Sequence, residues 1–312
     1  MAQDTYTKRL WLEEDLADDL KWSMLVKKVL YSGKSKFQEV DLIDVGPFGK
    51  TLFLDGKVQS SEIDEWVYHE LLVHPALVMH PNPKTVFICG GGEGATAREV
   101  LRHKSVEKVV MVDIDKVVCD FCHAHLDKNK AAFESPRLEL INDDARAQLE
   151  GYPGTFDVII GDLADPLEDG PCYQLYTQDF YQNVVLQKLN PGGIFITQSG
   201  PAGFSAATNV FPRVLPYTQH MPVFCDVWGW NMALTDPTQA DLSSEEMDQR
   251  LAERVEGEMG FLDGHTFKGL CHINKTVRMC LENEQQIYTA DCGRFIHGKG
   301  QAAKPAENGT EQ

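Results

Sequence analysis

The sequence has 312 residues, 43% of them hydrophobic, enough for one large folded unit or two unequal ones. Its 47 acidic residues against 29 basic ones leave a net charge of −18, which repels nucleic-acid phosphates and anionic membranes and draws in cationic ligands. No apolar run reaches membrane-spanning length, and the opening MAQDTYTKRLWLEEDLADDL puts acids where a signal peptide needs uninterrupted apolar residues. A cytoplasmic protein without nucleic-acid or membrane partners is therefore expected, its 8 scattered cysteines remaining free thiols.

Three β-rich runs come first, at 24–31, 36–44 and 50–55, separated by Gly33, the Gly46-Pro47 pair and Gly56. They predict a small antiparallel sheet joined by turns. Apolar residues at helical spacing follow over 63–79 and stop at Pro81 and Pro83. The pattern then changes to strand–helix alternation, with strands expected at 85–89, 108–113, 138–141, 156–161 and 193–198. Such alternation predicts a doubly wound, Rossmann-like α/β sheet with parallel strands. Further strands are expected at 217–224 and 228–234. A helix over 243–256 should carry a capping box of Ser243 and Glu246. The expected organisation is an N-terminal β domain (1–62), a Rossmann-like catalytic domain (63–297) and a disordered tail (298–312).

The strand at 85–89 runs into Gly90-Gly91-Gly92-Glu93-Gly94-Ala95 and then a helix, so the backbone at Gly90 and Gly92 can pass close to a ligand. Asp113, 21 residues beyond Gly92, ends the next strand, where a carboxylate accepts from ribose hydroxyls. NAD and S-adenosylmethionine enzymes share this arrangement, and Glu93 separates them. Its carboxylate opposes a pyrophosphate and suits an ammonium or sulfonium, although an acid here also complements a helix dipole. Asp143 and Asp144, after the strand at 138–141, could accept from an adenine amino group or cap a helix.

The strand at 156–161 delivers Asp162 and Asp165 to the same sheet edge, three residues apart. An amine with a pKa of about 10 must lose its proton before it attacks carbon. A carboxylate within hydrogen-bond reach can take that proton and hold the amine in line. A Mg²⁺ site or a turn with a helix cap are the other readings, but no phosphate cradle lies beside these acids.

Several motifs together resemble the spermidine synthase family of polyamine aminopropyltransferases, and within it most closely the plant and algal thermospermine synthases. They are QSSEIDEWVYHE at 59–70, GGGEGATARE at 90–99, VDID at 112–115, DLADPLEDGPCYQLY at 162–176 and DVWGW at 226–230. The resemblance runs from about Trp11 to the stretch at 294–296. It implies an aminopropyltransferase using decarboxylated S-adenosylmethionine as co-substrate, with no permanently bound cofactor or metal, acting on a polyamine such as spermidine. On this resemblance Asp162 is the proton acceptor, and Asp165, Glu93 and His69 hold amine groups, with Tyr68 lining the same pocket. Asp113 takes the ribose, and Asp144 with Ala145 the adenine. Gln38 and Pro171 touch the thioadenosine part, and Gln59 lies at the pocket mouth. The β domain is expected to build homodimers or homotetramers.

Two departures from the resemblance bear on function and folding. Spermidine synthases often carry aspartate where Glu93 stands and a substrate-contacting tyrosine near Phe224, so an acceptor longer than putrescine is implied. Between Gly203 and Pro216 the chain is short by roughly three helical turns, which would leave an apolar sheet face exposed unless neighbouring segments cover it. The Cys119-Asp-Phe-Cys122-His123 run imitates a haem or zinc motif, but it continues a helix whose Val118, Cys119 and Cys122 would face the core. His74, His80 and His103 read as residues near helix ends. The competing functions are a putrescine aminopropyltransferase, an amine N-methyltransferase, a non-catalytic polyamine-binding protein and, more distantly, a dehydrogenase.

Overall fold

The computed structural model describes residues 9–17, 19–166, 172–201, 210–283 and 288–289. β1 (Leu10–Ala17), β2 (Leu20–Lys34), β3 (Glu39–Val45), β4 (Gly49–Leu54) and β5 (Lys57–Ser61) form an antiparallel sheet in chain order. Because strand side chains alternate between faces, Val40, Leu42 and Leu52 pack on one side while Ile43, Val45 and Phe53 pack on the other. The sheet has five strands where the sequence marks three runs. Asp55 and Gly56, both at positive φ (49° and 72°), form the two-residue turn that admits β5.

α1 (Glu65–Met79) is buried at every position from His69 to Met79, its apolar residues filling the core and its buried His69, Glu70 and His74 each held by polar partners. It ends at His80 in extended backbone (ψ 136°), since Pro81 disfavours a helical residue before it. The second sheet comes next: β6 (Thr85–Gly90), α2 (Ala95–Leu101), β7 (Lys108–Val112), α3 (Lys116–His125), α4 (Lys130–Phe133), β8 (Leu138–Ile141), α5 (Ala145–Gly151) and β9 (Phe156–Asp162). Then α6 (Gln178–Phe180), a π turn (Tyr181–Val185) and α7 (Leu186–Lys188) run together into β10 (Leu189–Pro201). β11 (Arg213–Met221) and β12 (Asp226–Leu234) complete the sheet, and α8 (Ser244–Arg254), α9 (Gly264–Cys271) and α10 (Lys275–Asn283) lie beyond it in the chain.

The seven strands are ordered β11-β12-β10-β9-β6-β7-β8. β8 through β10 are parallel, and β12 and β11 are antiparallel additions to one edge. α1, α2, α8 and α9 cover one face; α5 and the 178–188 segment cover the other, which explains why the central strands are apolar at nearly every residue. The expected capping box is present, Ser243 Oγ receiving the Glu246 amide at 3.1 Å while Glu246 Oε2 receives the Ser243 amide at 2.8 Å.

Residues 203–209 of the stretch expected to be shortened, and the expected tail at 298–312, lie outside the described residues. Within that stretch the chain enters β11 at Arg213, and Phe211 is buried against Phe195 with their rings stacked 6.1 Å apart. That sheet face is covered locally by Phe211, Val210 and Val214. Cys119 and Cys122 are buried on α3, Cys122 packing with Val118 and Phe121 against β3 and β4, so they serve as core thiols.

Candidate active site

β7 and β9 leave opposite sides of β6, so the carboxyl ends of β6 and β9 flank the point where strand order reverses, the usual ligand crevice of such a sheet. Gly90 lies opposite Asp162 in register. Gly90, Gly91 and Gly94 all have positive φ (80°, 77° and 87°). A Cβ on Gly90 would strike the Asp162 carbonyl, and one on Gly92 would come within 2.7 Å of Asp113 Oδ2. The loop is thus threaded between two strand-end acids.

Asp113 receives the Gly92 amide at 2.9 Å and the Asp115 amide at 2.8 Å, and burial raises its pKa. Gln38, from the β2–β3 connection, donates to Asp115 Oδ2 at 3.0 Å, where Ser35 Oγ also donates at 2.6 Å. The first sheet is therefore latched onto the strand end that holds Asp113. Gln59 donates to the Lys57 carbonyl at 3.2 Å and is half-buried on β5. Asp144 is exposed and caps α5 by accepting the Ala147 amide at 3.0 Å, and Ala145 is the first, buried residue of that helix. Pro171 lies outside the described residues.

At the reversal point Asp162 is held by two hydroxyls, Thr96 donating to Oδ2 at 2.6 Å and Tyr68 to Oδ1 at 3.2 Å. Asp165 accepts from Gln198 Nε2 at 3.3 Å, and the same amide donates to the Tyr176 hydroxyl at 2.9 Å. Burial pushes the Asp165 carboxyl up to about 6. Tyr68 and Tyr176 are held neutral by burial and by the carboxylates around them.

Glu93 precedes α2, whose N-cap is Gly94, and its carboxylate accepts from Ser60 Oγ on β5 at 2.8 Å. Glu93 thus stands one residue before the N-cap, with its carboxylate turned to β5. Burial raises Glu93 to about 7 against the opposing charge of His69. His69 lies over Glu65, with Nδ1 2.7 Å from its carbonyl oxygen and 3.1 Å from Oε2. Burial alone would lower His69; the Glu65 hydrogen bond and the nearby acids outweigh it and bring the ring to about 9. Ligand atoms of Glu65, His69 and Glu93 lie within 4.8 Å of one another. Both Glu65 oxygens are already bound by Arg98 at 3.2 and 2.8 Å, so this corner suits a monovalent organic cation better than a metal ion.

The sequence pattern marks the strand-end acids but not Ser60, Glu65, Thr96 or Gln198. Glu65 had a signal, its i, i+4 spacing to His69 on one helix. His74 and His103, expected as residues near helix ends, instead join inside the core: their rings share a 2.8 Å contact from Nδ1 to Nε2, and His74 Nε2 lies 3.0 Å from Glu99. The reason is that α2 stops at Leu101, leaving His103 beyond its end and paired with Val255.

A glycine loop at a sheet reversal, with Glu93, Asp162 and Asp165 clustered beside it, fits a small-molecule transferase handling cationic substrates. Residues 65–232 match the spermine/spermidine synthase domain, and residues 10–62 match the spermidine synthase tetramerisation domain. Thermospermine synthase ACAULIS5 of Arabidopsis thaliana is 50% identical over 303 residues, covering 94% of this chain and 89% of that protein. A polyamine aminopropyltransferase of Aeropyrum pernix is 39% identical, covering 94% and 98%. Among solved structures, spermidine synthase with the transition-state analogue AdoDATO superposes with a TM-score of 0.80 at 28% identity, covering 88% of this chain and 96% of that one. The Thermotoga maritima spermidine synthase gives 0.80 at 27% identity, covering 89% and 96%. The chain belongs to the spermidine synthase family of polyamine aminopropyltransferases. No helix among the described residues is long and apolar enough to cross a membrane.

Proposed function

We propose that this chain transfers the aminopropyl group of decarboxylated S-adenosylmethionine to spermidine, giving thermospermine and 5′-methylthioadenosine. The observation that carries the reading is Asp162, fixed by Tyr68 and Thr96 at the strand reversal beside the glycine loop. In the reaction Asp162 takes a proton from the acceptor amine. The amine lone pair attacks the methylene next to the sulfonium, the C–N bond forms, and the C–S electrons return to sulfur as a neutral thioether. No charge accumulates on the leaving group, so no metal is required. Asp165, Glu93 and His69 hold amine groups, with Tyr68 at the pocket wall. Asp113 takes the ribose, Asp144 and Ala145 the adenine, Gln38 and Pro171 contact the thioadenosine part, and Gln59 lies at the pocket mouth.

Spermidine is favoured over putrescine by the wall near Tyr68. Phe224 packs edge-on to Tyr68 (6.1 Å between centroids) and lies 4.4 Å from Trp228, with Trp230 5.6 Å from Tyr68. Phe224 offers no hydroxyl to a terminal amine there, whereas an aromatic wall suits the methylenes and the inner ammonium of a longer acceptor. The enzyme is cytoplasmic and works as a homodimer or homotetramer assembled through a unit spanning 1–62, ahead of the catalytic domain at 63–297. The test is to incubate purified protein with decarboxylated S-adenosylmethionine and either putrescine or spermidine, then resolve the products chromatographically. Thermospermine from spermidine, with little product from putrescine, is expected. Spermine, or spermidine made from putrescine, would replace the product assignment, and no product from folded protein would remove the activity.

A further inference from the structure

Behind His69 lies a ring of bonds that the transfer chemistry does not call for. Arg98, which grips both Glu65 oxygens, also donates to Asn129 Oδ1 at 2.6 Å and to Glu99 Oε1 at 2.9 Å. Asn129 Nδ2 returns to the Glu93 carbonyl at 2.9 Å, so the glycine loop, α2 and the start of α1 are tied into one unit. Glu65 and His69 are both buried, and burying charges this way costs solvation unless the partners are well placed. With Nδ1 committed to Glu65, Nε2 is the nitrogen left to meet a ligand, and among the described residues no group hydrogen-bonds it.

We propose that Glu65, braced by Arg98, is a positioning residue acting through His69: it keeps the ring as the resident cation beside Glu93, and a polyamine ammonium enters by exchanging with that charge, so that binding releases a proton. The groups facing the ring are Glu65 and Tyr68 on its own helix, Glu93 in the loop and Asp162 at the end of β9. Arg98 and Lys128 reach it only through Glu65, the lysine standing 3.9 Å from Oε1. Acids therefore dominate, consistent with a ring titrating at about 9 beside a Glu93 carboxyl at about 7. Near pH 8 the ring is charged, Glu93 is mostly ionised, and an alkyl ammonium with a pKa of about 10 keeps its proton. Two cations competing for Glu93 repel, and the ring's is the more acidic. The Nε2–H bond breaks and its proton goes to solvent. The Nδ1–H bond stays with Glu65, and the neutral Nε2 can accept from the incoming ammonium.

The proposal rests on the polyamine reading of the site only for the identity of the ligand. Spermidine is titrated calorimetrically into the full-length protein near pH 8, in buffers of different ionisation enthalpy, which gives the protons released per ligand bound. About one proton per spermidine is expected for the wild type and about none for 5′-methylthioadenosine, whose chain carries no amine. Glu65→Gln should cut the release to a small fraction, and His69→Gln, which leaves the Glu65–Arg98 pair in place, should abolish it. Spermidine binding to wild type without proton release, or unchanged release in either variant, would overturn the proposal. A wild-type protein that fails to bind spermidine would instead overturn the polyamine reading.

Discussion

Asp162 accepts hydrogen bonds from two hydroxyls and, among the described residues, from no ammonium or guanidinium, so it keeps lone pairs with which to take a proton from an amine. Asp162→Asn keeps the shape and can still meet Thr96 and Tyr68, so the unfolding midpoint should hold. Removing the base should lower kcat by about 10²- to 10⁴-fold. Near-normal turnover in that variant would rule Asp162 out as proton acceptor. A pH effect arises from Glu93 and Asp165, raised by burial to about 7 and about 6. Their folded values lie above that of a free carboxyl, so they take up protons on acidification while exposed acids are still ionised. Affinity for the polyamine should fall as the pH drops below about 9, where the His69 proton has to be displaced, and more steeply through 7 towards 6 as Glu93 and Asp165 take up protons. Spermidine kcat/KM measured across pH 5.5–9, with Glu93→Gln flattening the part of the acid limb near pH 7, checks this. A wild-type profile with no loss down to pH 5.5 would contradict it.

At the scale of elements, the glycine loop separates what folds the chain from what binds the donor. Gly90 needs positive φ, and a Cβ there meets backbone, so Gly90→Ala should cost stability as well as activity. At Gly92, which is not at positive φ, an added Cβ meets the Asp113 carboxylate at 2.7 Å and Cys119 Sγ at 3.1 Å. Gly92→Ala should therefore raise the donor KM by about tenfold, a displaced ribose contact, and shift the unfolding midpoint little. Thermal melts beside donor titrations separate the two, and equal loss of stability in both variants would contradict the distinction. These elements were legible because β6, β7 and β9 are mostly apolar runs that end in, or run directly into, a glycine or an acid, a signature of strands buried on both faces. β1 and β5 were not. The first interleaves acids with apolar residues, and the second is KVQSS, whose hydroxyls find partners elsewhere: Ser60 on Glu93, 33 residues on, and Ser61 on Asp64. The strand-end acids of the site stood out for the same reason the strands did. Ser60 and Gln198 carry no local pattern, because their partners are supplied by the second sheet.

At the scale of the whole molecule, the first sheet has two tasks. Its inner surface packs on α3 and reaches the site through Gln38 and Ser60. On β1 and β2, Leu10 (60% exposed), Trp11 (50%), Leu20 (55%) and Val29 (48%) are left to solvent in a single chain. Among the described residues β1 pairs with no strand but β2, so its other edge is left open to another strand. An exposed edge beside large apolar side chains is what a symmetric subunit contact covers. The match of residues 10–62 to a tetramerisation domain points the same way. The expected wild-type particle is a small multiple of the 35.0 kDa chain by light scattering. Trp11→Glu should drive it towards smaller species, because a carboxylate buried in an apolar contact without a partner costs several kcal/mol. Glu93, His69, Asp162 and Asp165 all come from one chain, so the dissociated variant should keep measurable turnover and the same acid limb, though with a lower unfolding midpoint. If turnover vanished while the monomer stayed folded and still bound spermidine, the partner subunit would have to supply part of the catalytic geometry. A wild type that already runs at 35.0 kDa would assign those apolar residues to some other contact.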